Sequence, residues 1–172
     1  DAFVQAHGRE VERAFFHRYR ATFLEEADFQ LLADCGVNFL RVPLDYRLFL
    51  DDNHTDGLWE DAFAYLDRLL ELGRQYGIFI MPDMHAGPGG QNPDWHSDNA
   101  FGAPLFWQYQ ALRRQLTRVW AAIAERYAEQ PYLMGYDLLN EPAMADWPLI
   151  NAFYAETIAA IIADEAAVGM VN

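Results

Sequence analysis

Three apolar runs of this chain end in polar residues that could do chemistry. Arg41 lies near the end of the first run, His85 ends the second, and Asn140 with Glu141 ends the third. A carboxyl group at the end of a buried strand is desolvated, which raises its pKa towards the range that an acid catalyst needs. We therefore expect Glu141 to be a general acid, and the neighbouring amide of Asn140 to hold a substrate hydroxyl.

The ends of the first and second apolar segments carry groups that could assist Glu141. Arg41 requires an anionic partner, so it either orients a catalytic carboxylate or forms a structural salt bridge. His85 could donate a hydrogen bond to a substrate hydroxyl. It opens the Gly-rich segment 86–92, whose backbone could approach a ligand closely. That segment lacks the Gly-Lys-Ser/Thr of a phosphate-binding loop.

Aromatic residues make up 15% of the chain, and several fall in or beside the loops after these run ends. Trp95, His96, Trp107 and Trp147 could each stack on a sugar ring or pack a loop. We count Trp95, His96 and Trp147 as candidate substrate contacts.

A metal site is the alternative use of the same histidines. Asp83 and His85 share strand parity and could form a metal-binding set with His96. Neither a His-x-His nor a His-Glu-x-x-His spacing supports such a set, so we predict no metal and no other cofactor.

Composition narrows the possible partners. The formal net charge of −14 argues against binding to nucleic acid or to an anionic membrane surface. No run of about 18 apolar residues is present. Cys35, the one cysteine, is predicted to be a small buried hydrophobe.

Helical and strand patterns alternate along the chain. Helices are predicted over Glu25–Cys35, Leu58–Tyr76, Pro104–Gln130 and Pro148–Ala163, and strands over Val37–Pro43, Ile78–His85 and Leu133–Leu139. Strands that are apolar on both faces and alternate with helices indicate a parallel sheet. The loops after the strands are longer than those before them, as in α/β barrels.

The length favours part of a barrel. An eight-stranded barrel needs about 250 residues, and the 172 residues show three clear strands with a trace of another near Val168–Val171. We predict one incomplete barrel domain over 1–172. Its lead-in, 1–22, is predicted to be irregular apart from a short helix near Glu10–Arg18. The start at Asp1 suggests a piece of a longer protein, which leaves the compartment open.

Three motifs together resemble glycoside hydrolase family 5, the retaining (β/α)8-barrel enzymes that include cellulases and exo-β-glucanases. They are Gly36–Pro43, Asp83–Asn92 and Asp137–Pro142, in the family's order. The resemblance covers about Phe15 to Asp164 and implies that strands two to four of the barrel are present.

The resemblance also implies roles for single residues. Glu141 is similar to the acid/base at the end of the fourth strand, and Asn140 to the adjacent substrate-binding amide. Arg41 is similar to the second-strand Arg beside the nucleophile, and His85 to the third-strand substrate-binding His. The implied activity is hydrolysis of a β-glucan-type substrate.

Two departures from the family pattern accompany the resemblance. Pro82 lies within a central strand, where its missing N–H predicts a local bulge. The family's nucleophile, a Glu ending the seventh strand, is absent, although retaining chemistry needs a second carboxylate about 5 Å from the acid. The isolated chain is therefore predicted to be inactive. The alternatives are a non-catalytic carbohydrate-binding remnant and a metal-dependent barrel hydrolase.

Overall fold

A computed structural model describes residues 2–50, 57–99 and 102–169. In these ranges helices and parallel strands alternate after a helical N-terminal segment. The elements are α1 (Ala2–His7), α2 (Arg9–Phe23), α3 (Glu26–Asp34), β1 (Phe39–Asp45), α4 (Ala64–Tyr76), β2 (Phe79–Ala86), α5 (Leu105–Gln108), α6 (Gln110–Tyr127) and α7 (Trp147–Gly169). None of these helices combines the length and the apolar character that a bilayer crossing requires.

The two strands pair in parallel, as predicted. Phe39 lies opposite Phe79, and the register holds until Leu44 lies opposite Met84. The segment after α6 runs along the other edge of β2, where Leu133 pairs with Ile80 and Asp137 pairs with Asp83. All three segments therefore end at the same edge of the sheet, which is the arrangement that gathers strand-end residues in α/β folds.

Two details of the sheet differ from expectation. The predicted strand Leu133–Leu139 is wrong as a continuous strand, because it forms only the bridges at Leu133 and Asp137. Between them lies Gly135, a residue type that weakens a strand interior. The irregularity predicted at Pro82 lies further along, since Asp45 pairs with Ala86 and His85 becomes the extra residue.

Helices α4 and α6 cover the sheet and fill the core. Both helices contribute side chains that are fully or almost fully buried together with Ile80 of β2. These are Leu66 and Leu69 of α4, and Trp120 and Ile123 of α6. Burying each such side chain contributes on the order of 1.5–3 kcal/mol. Helix α7 then packs along α6, and this core holds the strand ends in place.

The N-terminal segment is more regular than predicted. An irregular lead-in over 1–22 is wrong, because α1 and α2 occupy nearly all of it. Aromatic rings at helical spacing lie against one another along α2: Phe15 stacks on Tyr19, which contacts Phe23. Such (i, i+4) side-chain pairs add stability to a helix.

Helix boundaries also shift. Helix α4 begins at Ala64 instead of Leu58, after a turn, and ends as predicted at Gly77, whose φ of 70° is left-handed. The predicted helix Pro104–Gln130 is divided into α5 and α6 by Tyr109, which has an extended backbone. Arg113 donates to the carbonyl oxygens of Phe106 and Trp107 at the end of α5, which stabilises the break.

Two further predictions fail at the chain's helix ends. Cys35 is exposed, because α3 turns Phe29 inward while Cys35 and Leu31 face outward. The trace of a strand near Val168–Val171 is wrong at Val168, which lies in α7, and residues 170–172 lie outside the described ranges.

Candidate active site

Arg41 joins the three strand ends. Its Nε donates to Oδ2 of Asp137 at 2.9 Å, and its Nη2 donates to Oδ1 of Asn140 at 2.8 Å. The same Nη2 lies 3.1 Å from Oδ2 of Asp83. The Arg41 side chain is 36% exposed. Its anionic partners within the chain are Asp83 and Asp137, whose pairing with Arg41 the sequence reasoning missed.

Asp83 fixes the ring of His85. Oδ2 of the fully buried Asp83 lies 2.7 Å from Nδ1 of His85. Burial raises the pKa of Asp83, while its hydrogen bond with His85 and the charge of Arg41 oppose that rise. An ionised Asp83 only accepts hydrogen bonds, so this contact places a hydrogen on Nδ1 of His85.

Asn140 is held in one orientation. Its side chain is buried, and Oδ1 is occupied by the hydrogen bond from Arg41. That bond fixes which end of the amide is the donor, and Nδ2 has no hydrogen-bond partner among the described residues. A buried donor without a partner costs about 1–3 kcal/mol. The amide is therefore preset to donate to an acceptor brought from outside.

Glu141 extends from the strand end into solvent. Its backbone is left-handed, with a φ of 45°, and its side chain is 66% exposed. The sequence predicted a buried carboxyl group, and this prediction is wrong within the part of the chain that the structure describes. Oε2 of Glu141 lies 3.0 Å from Nε2 of His96, and its carbonyl oxygen accepts from Nδ2 of Asn92 at 3.0 Å.

The Gly-rich loop after β2 carries two functional residues that the sequence reasoning missed. Gln91 is fully buried, and its Nε2 donates to the carbonyl oxygens of His85 at 2.8 Å and Asn140 at 2.9 Å. Nδ2 of Asn92 likewise donates to the backbone carbonyl oxygen of Glu141. The available signal in the sequence was the adjacent pair Gln91 and Asn92, two amide side chains in the loop between His85 and Asn140. The loop therefore ties the second strand end to the third.

The aromatic candidates have different environments. Trp95 is 90% exposed and meets the ring of His96 edge-on, with the ring centroids 6.0 Å apart. Trp107 is buried and donates from Nε1 to the carbonyl oxygen of Gln91 at 2.8 Å, so it packs the loop. Trp147 is 75% exposed at the start of α7 and makes no hydrogen bond or ring contact with the site residues described above.

Two members of the conceivable metal set contact each other, and the third contacts Glu141. In the described part of the chain, no three His, Cys, Asp or Glu side chains are grouped as metal ligands. Asp83 contacts Nδ1 of His85, whereas His96 contacts Glu141. The contact with Glu141 therefore holds His96 apart from the Asp83–His85 pair.

Comparison with known proteins gives one consistent family. The model for cellulase, glycosyl hydrolase family 5, matches residues 4–168. A beta-xylosidase of Phanerodontia chrysosporium is 32% identical over 93% of this chain and 34% of its own length. Endoglucanase C of Acetivibrio thermocellus is 28% identical over 87% of this chain and 42% of its own length.

Solved structures agree with this assignment. An endoglucanase of Pseudomonas stutzeri superposes with a TM-score of 0.61 at 28% identity, over 80% of this chain and 39% of the other. A rutinosidase of Aspergillus niger gives a TM-score of 0.69 at 23% identity, over 88% and 46%. The chain thus spans less than half the length of these relatives, and its fold class is that of part of a glycoside hydrolase (β/α)8 barrel. It belongs to the cellulase family, glycosyl hydrolase family 5.

Proposed function

We propose that the full-length protein carrying this chain is a retaining glycoside hydrolase that cleaves O-glycosidic bonds of a β-glucan-type polysaccharide or oligosaccharide. Glu141 protonates the leaving glycosidic oxygen and then takes a proton from the water that releases the covalent glycosyl-enzyme. In this proposal the nucleophile is a Glu that these 172 residues do not supply. Family membership and relatives named endoglucanase and glucan 1,3-beta-glucosidase support this proposal.

The orientation of Asn140 is the observation that carries the proposal. Arg41 holds its Oδ1, so its Nδ2, which has no hydrogen-bond partner among the described residues, remains available to donate from the residue that precedes Glu141. A sugar hydroxyl next to the reacting carbon is an acceptor of this kind, and hydrogen bonds to that hydroxyl strengthen in the glycoside-cleaving transition state.

The other candidates complete the site in this proposal. Arg41 keeps the nucleophile ionised, and His85 binds a sugar hydroxyl through Nε2. Trp95 and Trp147 offer exposed ring faces to sugar units, and His96 lies between Trp95 and Glu141. The chemistry requires no cofactor.

Replacement of Glu141 by Gln in the full-length protein tests the proposal. Gln keeps the shape of the side chain but cannot transfer the proton, so turnover of aryl β-glucosides should fall by about 10²–10⁴-fold. Oligosaccharide binding, measured by calorimetry, should persist, because Asn140 and the tryptophans remain. Unchanged turnover would remove Glu141 from the acid/base role.

A carbohydrate-binding protein without catalysis is the second candidate, favoured by the exposed rings of Trp95 and Trp147. It predicts oligosaccharide binding and no turnover by the full-length protein. The isolated 172 residues are proposed to be inactive in both cases, so turnover of an aryl β-glucoside by this chain alone would contradict the missing-nucleophile proposal.

A further inference from the structure

A side chain from the loop after β2 holds the carboxylate of Glu141. Nε2 of His96 lies 3.0 Å from Oε2 of Glu141. The His96 side chain is 22% exposed and that of Glu141 is 66% exposed. The contact therefore fixes a solvent-facing carboxylate from its more buried side.

The chemistry of the contact assigns the proton. An ionised carboxylate oxygen only accepts hydrogen bonds, so Nε2 of His96 must carry a hydrogen. Nδ2 of Asn92 also lies 3.5 Å from Nε2 of His96, but it already donates to the carbonyl oxygen of Glu141 at 3.0 Å. The shorter contacts are mutually consistent, with both Asn92 and His96 donating to Glu141.

His96 is itself held in place. It lies in a short 3₁₀ turn, Trp95–Ser97. The hydroxyl of Ser97 donates to the carbonyl oxygens of Asn92 at 3.1 Å and Asp94 at 2.9 Å. The ring of His96 packs against that of His85, with centroids 5.6 Å apart. The imidazole is therefore a fixed support for the carboxylate.

We propose that His96 is a positioning residue that selects which oxygen of Glu141 transfers the proton. This inference rests on the proposed acid/base role of Glu141. With Oε2 occupied by His96, Oε1 carries the proton to the leaving oxygen and later receives one from water. Without His96 an exposed carboxylate samples many rotamers, and misplacement of a catalytic group by about 1 Å can cost on the order of 10²-fold.

Leaving-group dependence separates this role from a structural one. In His96→Ala of the full-length protein, kcat/KM for aryl β-glucosides with poor leaving groups should fall by about 10–100-fold. For a dinitrophenyl glucoside, which departs without protonation, it should fall by less than about threefold. His96→Gln, whose amide nitrogen occupies the place of Nε2, should restore most of the loss.

Two control variants sharpen the comparison. His96→Asn, whose amide nitrogen occupies the place of Nδ1, should behave like His96→Ala. His17→Ala, at an exposed position on α2, should match the unmodified protein. A loss equal across all leaving groups, or no loss with poor ones, would overturn the inference. So would His96→Asn performing as well as His96→Gln.

The contact can also be measured without turnover. A slowly exchanging Hε2 signal of His96 in the NMR spectrum of the full-length protein, lost in Glu141→Ala, supports the inference, and its absence from the unmodified protein overturns it. A protein that turns over no aryl β-glycoside contradicts the proposed function instead, so the two failures are distinguishable.

Discussion

The buried amide of Gln91 holds the second and third strand ends together. Its Oε1 accepts from the backbone N–H of Gly87 at 3.1 Å, and its Nε2 donates to the carbonyl oxygens of His85 and Asn140. Gln91→Ala leaves these three backbone groups without their partners in a site where Gln91 has no exposed surface.

The magnitude follows from the three hydrogen bonds. Each contributes about 1 kcal/mol net, and each buried group left unsatisfied can cost about 1–3 kcal/mol. We expect Gln91→Ala to lower the free energy of unfolding by about 3–5 kcal/mol. Domains have on the order of 5–15 kcal/mol in total, and few single substitutions exceed about 4 kcal/mol. This variant should therefore be among the most destabilising in the chain.

Gln91→Glu separates the effect of losing the hydrogen-bond donors from the effect of losing side-chain packing. The new carboxyl group keeps the side-chain size and can still accept from Gly87, but when ionised it faces two carbonyl oxygens. Burial and these oxygens raise the pKa of the new carboxyl group above its unfolded value. The folded state then binds the proton more tightly, so the stability deficit should grow as pH rises above about 4.

Equilibrium urea unfolding, followed by circular dichroism and tryptophan fluorescence, measures both effects. Gln108→Ala, at an exposed position at the end of α5, is the matched control and should change stability by no more than about 0.5 kcal/mol. A loss below about 1 kcal/mol in Gln91→Ala would refute the bridging role. A Gln91→Glu deficit that is independent of pH would refute the donor argument.

Two further predictions concern carboxylates. Burial raises the pKa of Asp45 to about 6. Since this exceeds the unfolded value of about 3.9, unfolding free energy should fall as pH rises from about 4 to 6. Because the Asp45 side chain is 36% exposed, we expect this fall in unfolding free energy to be about 1 kcal/mol. Asp45→Asn should abolish this pH dependence. An equal pH dependence of the urea midpoint in the variant and the unmodified protein would contradict the prediction. Asp67 accepts from Arg126 and Tyr127 between α4 and α6, so Asp67→Ala should cost about 1–2 kcal/mol in the same assay, and no loss would contradict it.

Local patterns determined much of the fold. The helix ends at Gly36 and Gly77 were predictable because a left-handed residue after a helix needs no information from elsewhere in the chain. The parallel pairing of β1 and β2 followed from strands that are apolar on both faces. The interruption at Gly135 was not predictable from apolar content, because pairing depends on what lies along each edge of the segment.

The candidate site was partly predictable for a similar reason. Parallel strands end at one edge, so Arg41, His85 and Asn140 could be grouped from their positions alone. The contacts of Gln91 and His96 depend on how the loop after β2 folds back. That path needs Gly90 in a left-handed conformation, where a Cβ atom would lie 2.6 Å from Nδ2 of Asn99. Hydrophobic periodicity carries no information on such a path.

The backbone of Glu141 shows how the loop and the strand end depend on each other. A left-handed conformation at a residue other than glycine costs on the order of 1–3 kcal/mol. Hydrogen bonds from Asn92 to the carbonyl oxygen and from His96 to the carboxylate contribute about 1 kcal/mol each and so offset most of that strain. The sequence reasoning assigned the preparation of Glu141 to burial in the strand. Under the proposed function, an exposed carboxylate is prepared for proton transfer by its position, and the side chains that hold Glu141 belong to the loop.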